Sequence, residues 1–322
     1  MNKGFASTAD LAEKRVSFDE IGPGLYAYTA EGDPNSGVIV GDDAVMVVDA
    51  QATPAMAEDV IARIRKVTDK PIRWLVLSHY HAVRVLGAAA YRADQIVASA
   101  ATRGLIAERG AADMESEIGR FPRLFRGRDT IPGLTWPTLA FTREITVWLG
   151  AREVRIIHAG RAHTAGDTIV WLPKERVLFA GDTVESGATP YCGDAHFTDW
   201  PGTLAGLRAL DPAAMVPGRG AALTTAEECR RAIEGTEAFT TRLSALVRAF
   251  ALRGAPLKET YDAAVAALRP EFGHWVIFDH CMPFNVSRAY DEALGIGRPR
   301  VWTAARDLEM WRALEGSGAG AA

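Results

Sequence analysis

The sequence predicts an α/β protein with two sheets packed face to face and helices outside them. Three observations carry this. Short apolar or alternating runs cluster in two blocks, residues 24–50 and 144–182. Helical patterns follow each block. Between the blocks, two further strand-like runs alternate with helices.

Taken in order, "GLYAYTA", "SGVIVG" and "AVMVVDA" read as strands, with "GDD" as the hairpin turn between the last two. Residues 54–67 read as a helix, with Thr53 as N-cap and Pro54 at the first helical position. "IRWLVLS" and "QIVASA" read as buried strands, and residues 101–120 as a helix. The stretch 121–137, "FPRLFRGRDTIPGLTWP", is too apolar for a linker and too punctuated for a helix. It is expected to be a lid, a pocket wall or a packed surface loop. "EITVWLG", "REVRIIHAG", "DTIVWLP" and "RVLFAGD" form the second β block. Helices are expected at 202–210, 225–253, 257–268, and near 285–295 and 303–314. Residues 1–20 are polar and expected to be loosely held, and the tail "GSGAGAA" to be flexible.

The chain has 322 residues, 48% hydrophobic and 24% charged, enough to bury a substantial core. A net charge of −4 gives no basic footprint, so nucleic acid is not an expected partner. There is no apolar run of about 18 residues, so no membrane span is expected. The first residues lack the apolar core of a secretory signal, and the expected compartment is the cytoplasm. Cys192, Cys229 and Cys281 cannot all pair and show no CxxC spacing; they read as free thiols.

The seven histidines are few, so their placement carries weight. In "LVLSHYHAVRVLG" a strand ends and gives His79 and His81. Residues i and i+2 of extended chain point the same way, so the two imidazoles can share one ion. His163, in "GRAHTAGDTIVWLP", and Asp182, in "RVLFAGDT", also fall next to strand ends, where loops gather. Asp167 is read either as orienting a ligand histidine or as capping a turn. Tyr80 should point away from the site, and His158 and His274 read as structural. His196 and His280 are spare candidates; His280 is the better one, flanked by Asp279 and Cys281 in a Pro-bounded turn. Cys192 has no neighbour in sequence that would lower its pKa.

An HxH after a strand, HTxGD about eighty residues on and "FAGD" soon after resemble the metallo-β-lactamase superfamily, including its glyoxalase II-like members. The hairpin "SGVIVGDDAVMVVDAQAT" is similar to that family's opening. The resemblance implies an αββα metallo-β-lactamase sandwich over residues 21–225, preceded by a polar segment, 1–20. A helical C-terminal extension, 226–315, and a tail, 316–322, lie outside it; the extension is expected to cover the pocket or form a homodimer contact. The resemblance assigns His79, His81, His163 and Asp182 to a first metal ion. The family's usual HxHxDH and PGHG motifs are broken. Val83, Arg84 and Arg219 stand where ligands of a second ion would be.

The site is therefore read as half of a dinuclear centre, holding one divalent ion, zinc in preference to iron. Arg84 and Arg219 are read as replacing the second cation electrostatically and clamping an anionic group. Asp182, or His196 or His280, is left to act as base. The expected function is mononuclear hydrolysis of a small-molecule ester, thioester, lactone or amide that carries an anionic group. The alternatives are a mononuclear iron oxygenase and a non-catalytic relative with a decayed site.

Overall fold

The computed structural model describes residues 4–316. The tail expected to be flexible lies, apart from Gly316, outside the described residues. The first sheet runs in chain order: β1 (Ser17–Gly22), β2 (Leu25–Thr29), β3 (Ser36–Val40), β4 (Val45–Val48), β5 (Ile72–Val76), β6 (Gln95–Ser99) and β7 (Leu139–Phe141). Its first four strands form an antiparallel meander, and β4 to β7 are parallel. Among the connections are α1 (Pro54–Val67), two single-turn helices, α2 (Ala82–Val85) and α3 (Ala88–Tyr91), and α4 (Ala100–Arg120). The second sheet comprises β8 (Glu144–Leu149), β9 (Arg152–His158), β10 (Thr168–Leu172), β11 (Val177–Gly181) and β12 (Ala214–Pro217), ordered β12-β11-β10-β9-β8. Helix α5 (Trp200–Ala209) carries the chain from β11 to the parallel β12.

Side-chain alternation explains the layering. In β3 and β4, Ile39 and Met46 face the second sheet, while Val38, Val45 and Val47 face the helices. In β10, Val170 and Leu172 face inward, and Ile169 and Trp171 face the outer helices. Each sheet thus has two apolar faces, and helices must cover the outer ones. Val60, Ile64 and Ile106 of α1 and α4 cover the first. The sheets approach closely enough that a Cβ on Gly37 would lie 2.2 Å from the Phe179 ring.

The outer face of the second sheet is covered by α5, α6 (Ala226–Leu252), α7 (Leu257–Phe272), α8 (Phe278–Ala293) and α9 (Ala304–Glu315). Trp200, Phe239, Phe284 and Trp311 share one cluster with Leu178 and Met215. Helix α1 starts as its sequence predicts: Thr53 accepts from the Met56 N–H at 3.1 Å, with Pro54 following.

Three local expectations are corrected. Residues 17–20 are not loose but belong to β1, and Phe5 packs edge-on against Trp311 at 5.3 Å. His280 lies in the first turn of α8 rather than in a Pro-bounded turn, because the helix runs through Pro283. Likewise α7 continues through Pro270 to Phe272.

Candidate metal centre

Parallel β4 and β5 end on the same edge, and the chain beyond each builds the site. Asp49, just past β4, accepts from Ser78 N–H and from Ser78 Oγ, both at 2.8 Å. Ser78 Oγ has spent its one proton on Asp49, so it accepts from His79 Nδ1 at 2.9 Å. The Ser78 carbonyl takes the Thr168 N–H at 2.7 Å and ties this edge to the second sheet.

The same logic fixes the other two rings. His163 Nδ1 donates to the Tyr191 carbonyl at 2.7 Å. His81 Nε2 faces Asp194 Oδ2 at 3.2 Å, and Arg109 holds Asp194 Oδ1 at 3.1 Å. Each partner leaves the opposite ring nitrogen with a lone pair. His163 Nε2 and His81 Nδ1 lie 3.0 Å apart, and the buried His79 Nε2 has no hydrogen-bond partner. The ligand atoms of the three rings lie within 4.8 Å of one another. Three lone pairs converging on one point, one of them orphaned and buried, fit a single metal ion.

Asp182, just past β11, presents Oδ2 to His79 Nε2 at 3.7 Å and to His163 Nε2 at 3.6 Å. Its Oδ1 accepts from Arg84. Burial alone would raise its pKa; Arg84, then His79, His163 and Arg219, hold the carboxyl well below the usual range. Asp49 is pushed up to about 6 by burial, which Arg84 and Ser78 offset only in part. Burial lowers His79 well below 6.5 and His163 to about 3. Burial pulls His81 the same way, but Asp113, Asp194 and Glu117 outweigh it and raise the ring to about 9, so that a bound cation would have to displace the proton that His81 Nδ1 otherwise shares with His163 Nε2.

Arg84 fills the place next to this cluster. Its Nη1 donates to the Asn35 carbonyl and one Nη2 bond goes to the Gly218 carbonyl, each at 2.7 Å. Nη1 also lies 3.6 Å from Asp49 Oδ2. The guanidinium is buried and does not line the neighbouring cavity. Its geometry is therefore that of an internal counter-charge, not of the clamp on substrate that the sequence reading expected. Helix α2 positions it, and the first amides of that helix, Ala82 and Val83, donate to Asp113 and Glu117 at 2.7 and 2.9 Å.

The cavity beside the centre is walled by His81, Asp182 and Arg219 and by Val83, Phe121, Leu124 and Ile277, with Arg120, His280 and Cys281 also exposed to it. Phe121 and Leu124 make the stretch expected as a lid or wall a wall. His280 Nδ1 pairs with Ser7 Oγ at 2.8 Å, and its ring lies against Phe284 and Phe121. Burial there, with Arg120 and Arg219 nearby, keeps the ring well below 6.5.

Other candidates lie elsewhere. His196 borders a second cavity with Tyr80, Arg109 and Asp194. Asp167 accepts from Thr164 N–H and Oγ and caps that turn. His158 bonds the Thr142 and Ala165 carbonyls, as a structural histidine does. Burial raises the Cys192 and Cys281 thiols, so neither is an activated nucleophile. Sequence reasoning missed Asp49, Asp113, Glu117, Asp194 and Arg120. The spacing of Asp113 and Glu117, four apart on α4, was their only local signal.

Two face-to-face sheets bring three histidines and an ionised carboxylate to one edge, an arrangement fit to hold a metal ion. The family model of the metallo-beta-lactamase superfamily matches residues 29–219, and the chain belongs to that superfamily. A type 2 metallo-beta-lactamase of Bacteroides fragilis is 36% identical over 93 residues, 27% of this chain and 37% of that protein. The chain thus spans little more than a third of this relative. The 2,4-dinitroanisole O-demethylase subunit alpha of Nocardioides sp. (strain JS1661) is 28% identical over 184 residues, covering 56% of this chain and 50% of that one. Among solved structures, the sec-alkylsulfatase Pisa1 from Pseudomonas sp. matches with TM-score 0.70 at 16% identity, over 87% of this chain and 50% of that one. The metallo-beta-lactamase FIM-1 of Pseudomonas aeruginosa, in its mono-zinc form, matches with TM-score 0.55 at 19% identity, over 71% and 96%. No helix among the described residues is long and apolar enough to cross a membrane.

Proposed function

We propose that the protein is a mononuclear metal-dependent hydrolase of a small ester, thioester, lactone or amide that carries an anionic group. One observation supports the single ion above all others: Arg84 donates to Asp182 Oδ1, the oxygen a second cation would need. A guanidinium is not a ligand, and its charge repels a second ion.

His79 Nε2, His81 Nδ1 and His163 Nε2 would hold the ion, with Asp182 Oδ2 as fourth ligand. Bound there, a divalent cation supplies Lewis acidity, polarising a carbonyl and letting water ionise near neutral pH. Arg84 keeps Asp182 ionised, so Oδ2 stays available to a cation or to the proton of an attacking water. Phe121, Leu124, Val83 and Ile277 exclude bulk water, which strengthens every charge interaction in the cavity. Val83 offers no acceptor, which leaves Asp182 Oδ2 as the carboxylate oxygen placed to take the proton of the water.

The test is a panel of small esters, thioesters, lactones and amides, assayed with metal content measured on the same sample. Alkyl sulfate esters belong in the panel, because the alkylsulfatase match reaches into the C-terminal helices. Turnover that disappears in His163→Ala together with the metal supports the reading. A protein that keeps its activity without metal overturns it.

A further inference from the structure

Three guanidinium groups surround this centre, and two of them are already neutralised. Arg84 pairs with Asp182 and Asp49. Arg120 donates to Tyr191 Oη at 2.8 Å and has Asp307 and Glu117 within 4.0 Å. Arg219 differs. It is 7% exposed, donates from Nη1 to the Gly32 carbonyl at 3.2 Å, and has no carboxylate within 4.0 Å among the described residues. It also lines the cavity that Asp182 and His81 line. A buried cation is costly unless something pairs with it.

The loop that carries it is built for a fixed position. A Cβ on Gly218 would lie 2.3 Å from Asp182 Oδ1, and one on Gly220 (φ +92°) 1.9 Å from the Ser186 carbonyl oxygen. Only glycine fits either place, so "PGRG" holds Arg219 against the Asp182 loop. The Arg219 carbonyl accepts from Ser186 N–H at 3.2 Å and fixes the loop further.

We infer that Arg219 selects the substrate, which is an amphiphile with a monoanionic oxyanion seated on this guanidinium and an apolar remainder along Phe121, Leu124 and Ile277. The inference rests on the proposed hydrolase site and names its substrate class. Carboxylates and sulfate monoesters share the required charge and planar or near-planar pairing with a guanidinium.

Binding, not turnover, tests this. Hexanoate, hexyl sulfate, 1-hexanol and hexylammonium are titrated calorimetrically into the purified protein with its metal. At least one of the two anions should bind roughly tenfold or more tighter than hexanol, and butyrate more weakly than hexanoate. A metal ion also attracts anions, so the deciding arm is Arg219→Met at unchanged metal content. That variant should lose roughly tenfold or more in anion affinity and none for hexanol, with Arg219→Lys between. Equal binding of anion and alcohol by the wild type, no binding of any probe, or unaltered anion affinity in Arg219→Met overturns the inference. If Arg219→Met does not fold, Arg219→Lys decides: wild-type anion affinity in that variant counts against a guanidinium-specific seat. Turnover of neutral esters without anion preference would sink this inference and leave the hydrolase reading standing. Anion selectivity through Arg219 without turnover would do the reverse.

Discussion

Arg84 and Asp182 are bonded to each other in the interior, with side chains 1% and 4% exposed. The pair joins α2 of the first sheet's edge to the end of β11 in the second. It does at once two things that a second metal ion would do: it neutralises Asp182 and it fastens the two edges together.

Breaking it should be expensive. Arg84→Met leaves Asp182 and Asp49 buried without their cation and should cost about 3–5 kcal/mol in urea or thermal unfolding. Arg84→Lys should recover part of this, since one ammonium cannot reach Asn35, Gly218 and Asp182 together. Arg219→Met removes a more distant charge from Asp182 and Glu185, with no carboxylate bonded to it, and should cost clearly less than Arg84→Met. Equal losses for both arginines would contradict the division of roles drawn here.

Asp194 supports the centre from behind. Asp194→Asn weakens the acceptor that fixes the His81 ring and should reduce metal affinity about 10–100-fold in chelator competition. Asp167→Asn, a change confined to the Thr164 turn, should not. A matching loss in both variants would mean that general loosening, not ring orientation, sets the affinity.

The clustering of the three histidines and Asp182 was legible in the sequence, because these residues sit where strands stop. His79, His81, His163 and Asp182 are marked by strand ends that short-range patterns reveal. Asp113 and Glu117 were not legible, because carboxylates spaced by one helical turn usually mean a solvated face. Here they are buried and take the α2 amides. The sequence placed Arg84 near Asp182, where the structure also has it, but a sequence cannot say whether a guanidinium turns toward the cavity or away. Strand β1 was missed because it is an edge strand, half-buried and polar in sequence. The proline in α8 was read as a boundary, whereas tertiary packing of Cys281, Met282 and Phe284 carries the helix through it.

His280 gives a pH dependence with a definite sign. Its folded pKa lies well below 6.5. Below that pH the unfolded chain binds a proton that the folded chain refuses. The stability associated with this group is complete above pH 6.5 and is lost as pH falls toward the folded value. His280→Gln should remove that part, so its advantage over wild type grows on acidification by up to about 1.4 kcal/mol per pH unit. Urea unfolding at a series of pH values measures it. Parallel wild-type and variant curves would show that His280 takes up its proton in the folded protein.

The C-terminal helices share one apolar cluster with the second sheet. Asn285 Oδ1 accepts the Cys192 N–H at 2.6 Å, and Asn285 Nδ2 donates to the Pro190 carbonyl at 2.8 Å. The chain should therefore unfold in one cooperative transition, seen alike by far-ultraviolet circular dichroism and tryptophan fluorescence. Two separated transitions would mean that the helices form a unit of their own.

The central claim is one ion per chain, with Arg84 in place of a second. Elemental analysis of protein dialysed against excess zinc tests it most directly. The account predicts close to one ion per chain, lost in His163→Ala and retained in Arg219→Met. Close to two ions per chain, both removed by chelator, would contradict it.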